Sequence, residues 1–419
     1  MEDRLAFLRR LFDRAVEVAD PMRSLAGHLP PRPEGRVVVV GAGKASARMA
    51  EAVEAAWGPC QGLVITRYGY DRPCRGIEIV EAGHPVPDQA GMMATTRMLD
   101  FLAGLGPDDF VLALISGGAS ALLVAPVAGI SLAEKCAFNA ALLASGAPIS
   151  VMNALRKRLS RVKGGQLAVA GPARMLALMI SDVPGDDPSL IGSGPTVGES
   201  APSIDVLRAL ATWKLNVSET VRAVLLAPSC PVLAGDPRLK RVENRVIAAS
   251  AQSLAAAVDL AKASGCDVRL LGADLEGEAR EVAANQASMA LDLQRRMRTG
   301  DPPILLLSGG ELTVTRIGSG IGGPNAEFCL ALGIALNGAL GVHAIACDTD
   351  GVDGAAEVAG AVIDPFMLAL ARAKGIDPQA ELRANNAHGF FRAIGGQIIT
   401  GPTLTNVNDF RGILISSRA

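Results

Sequence analysis

The chain has 419 residues, with 40 Lys and Arg against 42 Asp and Glu and a formal net charge of −2. No global field therefore draws it to nucleic acid or to an anionic membrane, and the length leaves room for two or three domains. Aromatic residues make up only 3%, too few for a base-stacking platform, while a mean hydropathy of +0.31 raises the question of membrane spans.

Residues 4–19 place Leu5, Leu8, Phe12 and Val16 on one helical face, and Pro21 stops the pattern. A β-branched run over 36–40 reads as a strand, followed by a helix over 44–57 and a strand over 62–66. Further strands are expected at 77–80, 110–115 and 175–180, with helices near 88–104, 131–145, 150–162 and 203–226. The second half continues with strands at 245–249, 267–271, 304–307, 342–347, 397–400 and 412–416, and helices at 250–264, 277–298, 326–336 and 365–373. The uncharged windows 110–133, 137–155 and 328–347 could pass for membrane spans. Ser116-Gly117-Gly118, Pro148 with Asn153, and Asn337 with His343 interrupt them, so each reads as buried strand, turn and helix.

Apolar strands without strict alternation, separated by helices, predict an α/β fold with parallel sheets covered on both faces. The turn-rich stretch Ala227–Glu243 marks a boundary, giving domains 1–236 and 240–419. Met1-Glu2-Asp3-Arg4 does not open a signal peptide, and seven scattered cysteines form no CxxC pair. Together these point to a reduced, cytoplasmic protein.

Chemistry concentrates where strands end, which is where open α/β sheets bind ligands. The first strand runs into Gly41-Ala42-Gly43-Lys44, where glycines aim N–H groups at an anion and the lysine supplies a point charge. Later strands run into Ser116-Gly117-Gly118-Ala119-Ser120, Ser181-Asp182-Val183-Pro184-Gly185-Asp186-Asp187 and Ser308-Gly309-Gly310-Glu311. The last ones lead into Asp348-Thr349-Asp350-Gly351-Val352-Asp353 and Gly401-Pro402-Thr403-Leu404-Thr405-Asn406-Val407-Asn408-Asp409. One such turn is ordinary; their recurrence is not. Ser-Gly-Gly turns offer N–H nests, and clustered carboxylates suit Mg²⁺ held with phosphates, or a base toward a hydroxyl. The same aspartates would also serve as plain helix and turn caps.

Asn153, Arg156 and Lys157 share a basic helix that leads to Lys163-Gly164-Gly165. Four histidines are too few and too dispersed for a hydrolytic triad or a structural zinc. His84, in Gly83-His84-Pro85-Val86-Pro87-Asp88, reads as structural. The pattern fits phosphoryl transfer, which needs positioning and charge neutralisation. Two other classes stay open. Gly41-x-Gly43-x-x-Ser46 is one residue from a dinucleotide fingerprint and Arg67 could meet a 2′-phosphate, as in an NADP-dependent reductase. A non-catalytic small-anion binding module is the other.

The strings GAGKASARMA (41–50), GHPVPDQAG (83–91), SGGASALL (116–123), NALRKRLSRVKGGQLA (153–168), SDVPGDDPSLIGSGPT (181–196), SGGELTVT (308–315), DTDGVDG (348–354) and TGPTLTNVND (400–409) resemble the glycerate kinase family. The likeness is to the glycerate 2-kinases whose C-terminal part is the MOFRL domain, some of which have been labelled hydroxypyruvate reductases. It implies ATP-dependent, Mg²⁺-assisted phosphorylation of D-glycerate, most often at the 2-hydroxyl. It also implies a Rossmann-like N-terminal α/β/α sandwich, a mixed α/β C-terminal domain and an interdomain cleft. The family's lysine falls on Lys44 and its acidic positions on Asp186, Asp187, Glu311, Asp348, Asp350 and Asp353. Many relatives have an arginine where this chain has Pro324, and a glycine in place of Ala119.

On this reading Lys44, Asp187 and Asp350 are catalytic. Ser116, Gly117, Gly118, Asn153, Arg156 and Lys163 hold glycerate. Gly41, Gly43, Ser308, Gly309, Gly310, Asn325, Thr405 and Asn408 hold the nucleotide, and Glu311, Asp348 and Asp350 the metal. The partners are small molecules, with no nucleic acid or membrane, and a homodimer is left open.

Overall fold

The computed structural model describes residues 3–200, 204–227, 232–354 and 356–418. The chain forms two compact units, one of Ser24–Ile247 and one of the residues up to Arg23 together with those from Ala248 onward.

The first unit carries β1 (Val37–Ala42), β2 (Gln61–Arg67), β3 (Ile77–Ala82), β4 (Phe110–Ile115), β5 (Arg174–Ile180) and β6 (Val242–Ala248), in the sheet order β3-β2-β1-β4-β5-β6. The first five pair in parallel. Val38, Val40, Val111 and Ala113 pack into the core on one face, while Val37, Val39, Leu112 and Leu114 are buried on the other. Burial on both sides explains the continuous apolar runs. Each fully buried valine or leucine contributes about 1.5–3 kcal/mol. The chain leaves β1 for β2 and β3 on one side, then returns to lay β4 and β5 on the other, so the β1–β4 seam is the topological switch point of a Rossmann-like sheet. A smaller helical core beside the sheet joins Phe138, Leu142, Leu155, Leu159, Leu210 and Leu225. The helix expected over 203–226 is two helices, Val206–Thr212 and Glu219–Leu226. Lys214 turns left-handed with φ +50°, and the Ser218 side chain caps the second helix by accepting from Val221 N–H. Residue 203 lies outside the described residues.

The second unit contains β7 (Asp267–Gly272), β8 (Gly277–Glu278), β9 (Ile304–Ser308), β10 (Leu312–Thr313), β11 (Val342–Asp348), β12 (Gly360–Ile363), β13 (Gln397–Ile398) and β14 (Asp409–Ile415). Its main sheet runs β13-β12-β11-β14-β9-β7, beside a two-stranded β10-β8 ladder. In the main sheet only β7 and β9 pair in parallel; the other neighbours are antiparallel. The expectation of a parallel sheet is corrected here, because β14 inserts antiparallel between β9 and β11. The unit is thus the mixed α/β type.

The domain boundary is also redrawn. The helix Arg4–Ala19, expected within 1–236, buries Phe7, Leu8, Leu11, Phe12 and Ala15 among Leu254, Ala257, Ala261 and Phe410 of the second unit. Phe12 meets Phe410 edge-on at 5.9 Å. Among the described residues, no helix is long and apolar enough to cross a membrane.

Candidate active site

The switch point of the first unit is built from very close strands. A Cβ on Gly41 would lie 2.4 Å from the Leu114 carbonyl oxygen, and one on Gly43 2.1 Å from Ser116 Oγ. Lys44 N–H donates to the Gly117 carbonyl at 2.8 Å, Ala45 N–H to Ser116 Oγ at 3.0 Å, and Ser46 Oγ to the Leu114 carbonyl at 3.0 Å. Ser116 is fully buried, so its hydroxyl locks the two loops together. The helix opens at Ser46 rather than Lys44. Gly118 is left-handed, φ +83°, and a Cβ there would come 3.0 Å from His84 Nε2 and 3.2 Å from Lys44 Cγ. Lys44 and His84, both half-buried, therefore flank one half-buried turn of backbone at Gly118. His84, read from the sequence as structural, is brought to this turn by its loop at the end of β3.

Lys163 lies close by in the chain's own bonding: its Nζ donates to the Ser120 carbonyl at 2.7 Å and to Ser120 Oγ at 2.8 Å. Burial pushes its ammonium well below the ordinary lysine range, and the charges of Lys135, Arg156 and Lys157 add to the effect. Burial likewise brings Lys135 down to about 8. Lys157 pairs with Glu199 at 2.7 Å, and Arg156 Nε is buried without a partner. Asn153 is also buried. This basic cluster is an interior one, not a solvated helix face. Asp187 at the end of β5 is exposed. Its Oδ1 accepts from Ser189 N–H at 2.8 Å, so it caps a turn while presenting its charge to solvent.

In the second unit, the ends of β9 and β11 and the start of β14 share one sheet edge, with Asp348 opposite Asp409 and Ser308 opposite Arg411. Arg411, almost fully buried, donates to Asp409 Oδ2 at 3.0 Å and to the Gly310 carbonyl at 2.9 Å, and also to the Gly309 carbonyl. It thereby holds the Ser308–Glu311 turn, in which Gly310 (φ +90°) has no room for a Cβ beside Leu275. Ser308 Oγ is buried with no partner. Burial pushes the Asp409 carboxyl up to about 7 against the pull of Arg411.

Several residues assigned to the nucleotide do structural work instead. Asn325 is fully buried, and its Nδ2 donates to Asp409 Oδ1 at 2.7 Å. Asp353 accepts from Asn325 N–H at 3.0 Å and Ala326 N–H at 2.8 Å, with His388 Nε2 at 3.1 Å from its Oδ2. It caps the helix Pro324–Leu336, where Pro324 fits at the first position because proline lacks the N–H that would find no acceptor within the helix. Thr405 Oγ1 donates to the Ala19 carbonyl at 2.8 Å, tying down the N-terminal helix. Asn408 Oδ1 accepts from Asp409 N–H at 2.8 Å.

The aspartate loop folds onto its own backbone. Asp348 Oδ1 accepts from Asp350 N–H at 2.9 Å, and Asp350 Oδ1 from Val352 N–H at 2.7 Å. Among the described residues, no group of three or more His, Cys, Asp or Glu is gathered to hold a metal ion. The expected trio Glu311, Asp348 and Asp350 is thus not a ready cage: Asp350 is fully buried, leaving exposed Glu311 and half-buried Asp348.

An open sheet of Rossmann order with a glycine-lysine turn at its switch point, continued in sequence by a mixed α/β unit, defines a two-unit α/β protein of the small-molecule-binding class. Residues 7–226 match the family model described as domain of unknown function DUF4147, and residues 304–409 match the MOFRL family. The chain is 38% identical to the D-glycerate 2-kinase of Thermotoga maritima over 94% of either chain. The crystal structure of a glycerate kinase from that organism superposes with a TM-score of 0.85 at 37% identity, covering 98% of this chain and 99% of that one. An Agrobacterium vitis protein provisionally named a hydroxypyruvate reductase is 49% identical over 97% of this chain and 94% of its own length. The chain belongs to the glycerate kinase family.

Proposed function

We propose that this chain transfers the γ-phosphoryl group of ATP to the 2-hydroxyl of D-glycerate. The observation that carries the reading is the Lys44 turn at the switch point, flanked by His84, in a chain whose near-full-length relatives include named glycerate kinases. In the first unit, Lys44, His84 and the backbone at Gly117–Gly118 receive the substrate carboxylate and the migrating phosphoryl group. In the second, the Ser308–Glu311 turn, held by Arg411, is a backbone nest of the kind that binds phosphate. Mg²⁺ is commonly held by one or two carboxylates plus phosphate oxygens, and Glu311 with Asp348 fits that donor set. When bound, the ion neutralises charge on the phosphates. Asp187, with its exposed carboxylate, orients the acceptor hydroxyl.

Incubation with D-glycerate, Mg²⁺ and ATP, followed by ³¹P NMR of the product, tests this reading; 2-phosphoglycerate is expected. The Rossmann strand order and the name of the Agrobacterium vitis relative favour a second reading, an NAD(P)H-dependent hydroxypyruvate reductase. NADPH oxidation with hydroxypyruvate, without any ATP-dependent product, would establish that one instead.

A further inference from the structure

Three side chains in the first unit form a connected line that the reading above leaves unused. Lys163 Nζ contacts Ser120 Oγ at 2.8 Å, and Ser120 Oγ contacts Ser193 Oγ at 2.9 Å. They come from three separate stretches of the chain: the short helix Ala119–Leu122, the turn at Lys163 and the 3-10 turn Ile191–Ser193. Two backbone bonds clamp the loops that carry Lys163 and Ser193: Gly164 N–H to the Ser193 carbonyl at 3.1 Å, and Gly165 N–H to the Gly194 carbonyl at 2.8 Å.

Ser193 is left-handed, φ +66°, between Gly192 at +59° and Gly194 at +62°. A side chain there is strained, and a glycine would avoid the strain. The hydroxyl is what the serine adds. Lys163 and Ser193 are each 2% exposed while Ser120 is half-buried, so the line reaches solvent at Ser120. That end lies two residues beyond Gly118, where Lys44 and His84 meet. The charges that act on Lys163 are those of Lys135, Arg156 and Lys157, all cationic, and of these Lys157 is paired with Glu199. Desolvation and repulsion both favour a neutral amine.

We propose that Lys163, acting through Ser120, takes up the proton of the acceptor hydroxyl, with Ser193 aligning Ser120. This rests on the kinase reading. As the substrate oxygen bonds to the γ-phosphorus and the bond to the β-phosphate bridging oxygen breaks, the hydroxyl proton passes to Ser120 Oγ. The Ser120 proton moves to Lys163 Nζ, whose lone pair accepts it, and ADP carries the electron pair of the broken bond. The ammonium returns its proton through Ser120 to water after product leaves. Ser120 is the group that touches substrate; Lys163 and Ser193 are positioning residues behind it. The assignment replaces the earlier expectation that Lys163 binds the glycerate carboxylate.

Steady-state kinetics with D-glycerate and MgATP over a range of pH, on the intact protein and on Lys163→Met, Ser120→Ala and Ser193→Gly, provide the test. Lys163→Met and Ser120→Ala should each lower kcat by ~10²–10⁴ with the glycerate KM little changed. The wild-type rise of kcat with pH, centred below the ordinary lysine range, should vanish in Lys163→Met. Ser193→Gly keeps the backbone conformation, relieves its strain, and should show a smaller kcat loss with a displaced pH limb. A raised KM with unchanged kcat in Lys163→Met would overturn the relay in favour of carboxylate binding. Retention of wild-type kcat and pH limb in Lys163→Met or Ser120→Ala would overturn it outright. A wild-type protein that forms no phosphoglycerate overturns the kinase reading itself.

Discussion

Replacing Gly43 by alanine forces a methyl group into the seam between β1 and β4. Its Cβ would sit 2.1 Å from Ser116 Oγ and 2.7 Å from the Ser116 carbonyl oxygen, at a backbone φ of +142°. Overpacking of this kind costs about 1–3 kcal/mol, and an L-residue held at such a φ costs about 1–3 kcal/mol more. A destabilisation of about 2–5 kcal/mol is expected once partial relaxation is allowed. The chain has 2 tryptophans, Trp57 and Trp213, and both lie in the first unit. Trp57 packs edge-on to Phe110 at 6.5 Å, so tryptophan fluorescence in urea reports this unit directly. With an m-value of about 2.5 kcal/mol/M, toward the upper end of the usual range as suits a unit of this size, the midpoint should fall by about 1–2 M. Gly129→Ala supplies the control, since Gly129 has φ +85° but nothing within 4 Å of its Cβ position; it carries the conformational cost alone. Equal shifts for the two variants, or a Gly43→Ala shift below about 1 kcal/mol, would refute the claim that contact across the seam dictates glycine.

Other outcomes follow from the same contacts. Lys44→Ala should reduce kcat by ~10²–10⁴, the scale of one lost preorganised charge, and initial-rate kinetics showing wild-type turnover would remove Lys44 from the chemistry. Asp187→Asn keeps an oxygen for Ser189 N–H while removing the charge, so a kcat loss well below the ~10²–10⁴ of a missing general base is expected; a full loss would restore Asp187 as the base. Arg411→Met leaves the Asp409 carboxyl, already pushed up to about 7, without its cation; it takes up a proton, so a cost below the ~3–5 kcal/mol of a stranded buried charge is expected, part of which the double variant with Asp409→Asn recovers in calorimetry. Lys135, depressed in the folded protein to about 8 from 10.5, binds its proton more readily when unfolded. Stability should therefore rise as pH climbs from about 8 toward 10.5. Melting curves of Lys135→Met should show a flatter rise over that window, Lys163 still adding a slope of the same sign; an unchanged slope would count against the buried ammonium.

The strands and their carboxyl-end loops were legible because burial on both faces leaves an unbroken apolar run, and Gly43 and Gly310 mark places where a Cβ has no room. What stayed hidden depends on partners far away in the chain. Asn325 and Thr405 look like ligand-facing polar residues until Asp409 and Ala19 are seen beside them, and Asp350 looks like a metal ligand until it is seen fully buried with its Oδ1 folded onto Val352 N–H. The strand Gly360–Ile363 is too short to show a period. The antiparallel insertion of β14 leaves no local trace, and neither does the meeting of His84 with Lys44, which only the order of strands brings about.

The assignment of the Arg4–Ala19 helix to the second unit has a consequence for biosynthesis. The helix is made first, yet its partner Leu254 is separated from it by the whole inserted Rossmann-like unit, and Phe410 arrives only with the final strand. At about 5–20 residues per second, its apolar face waits on the order of 20–80 s for that strand. β14 is also the strand that joins β9 to β11. The first unit can close its sheet before β14 is made, whereas the second must hold an amphipathic helix and two incomplete halves of a sheet until β14 emerges. Any aggregation or chaperone dependence during synthesis is thus concentrated on one helix face and on the facing edges of β9 and β11.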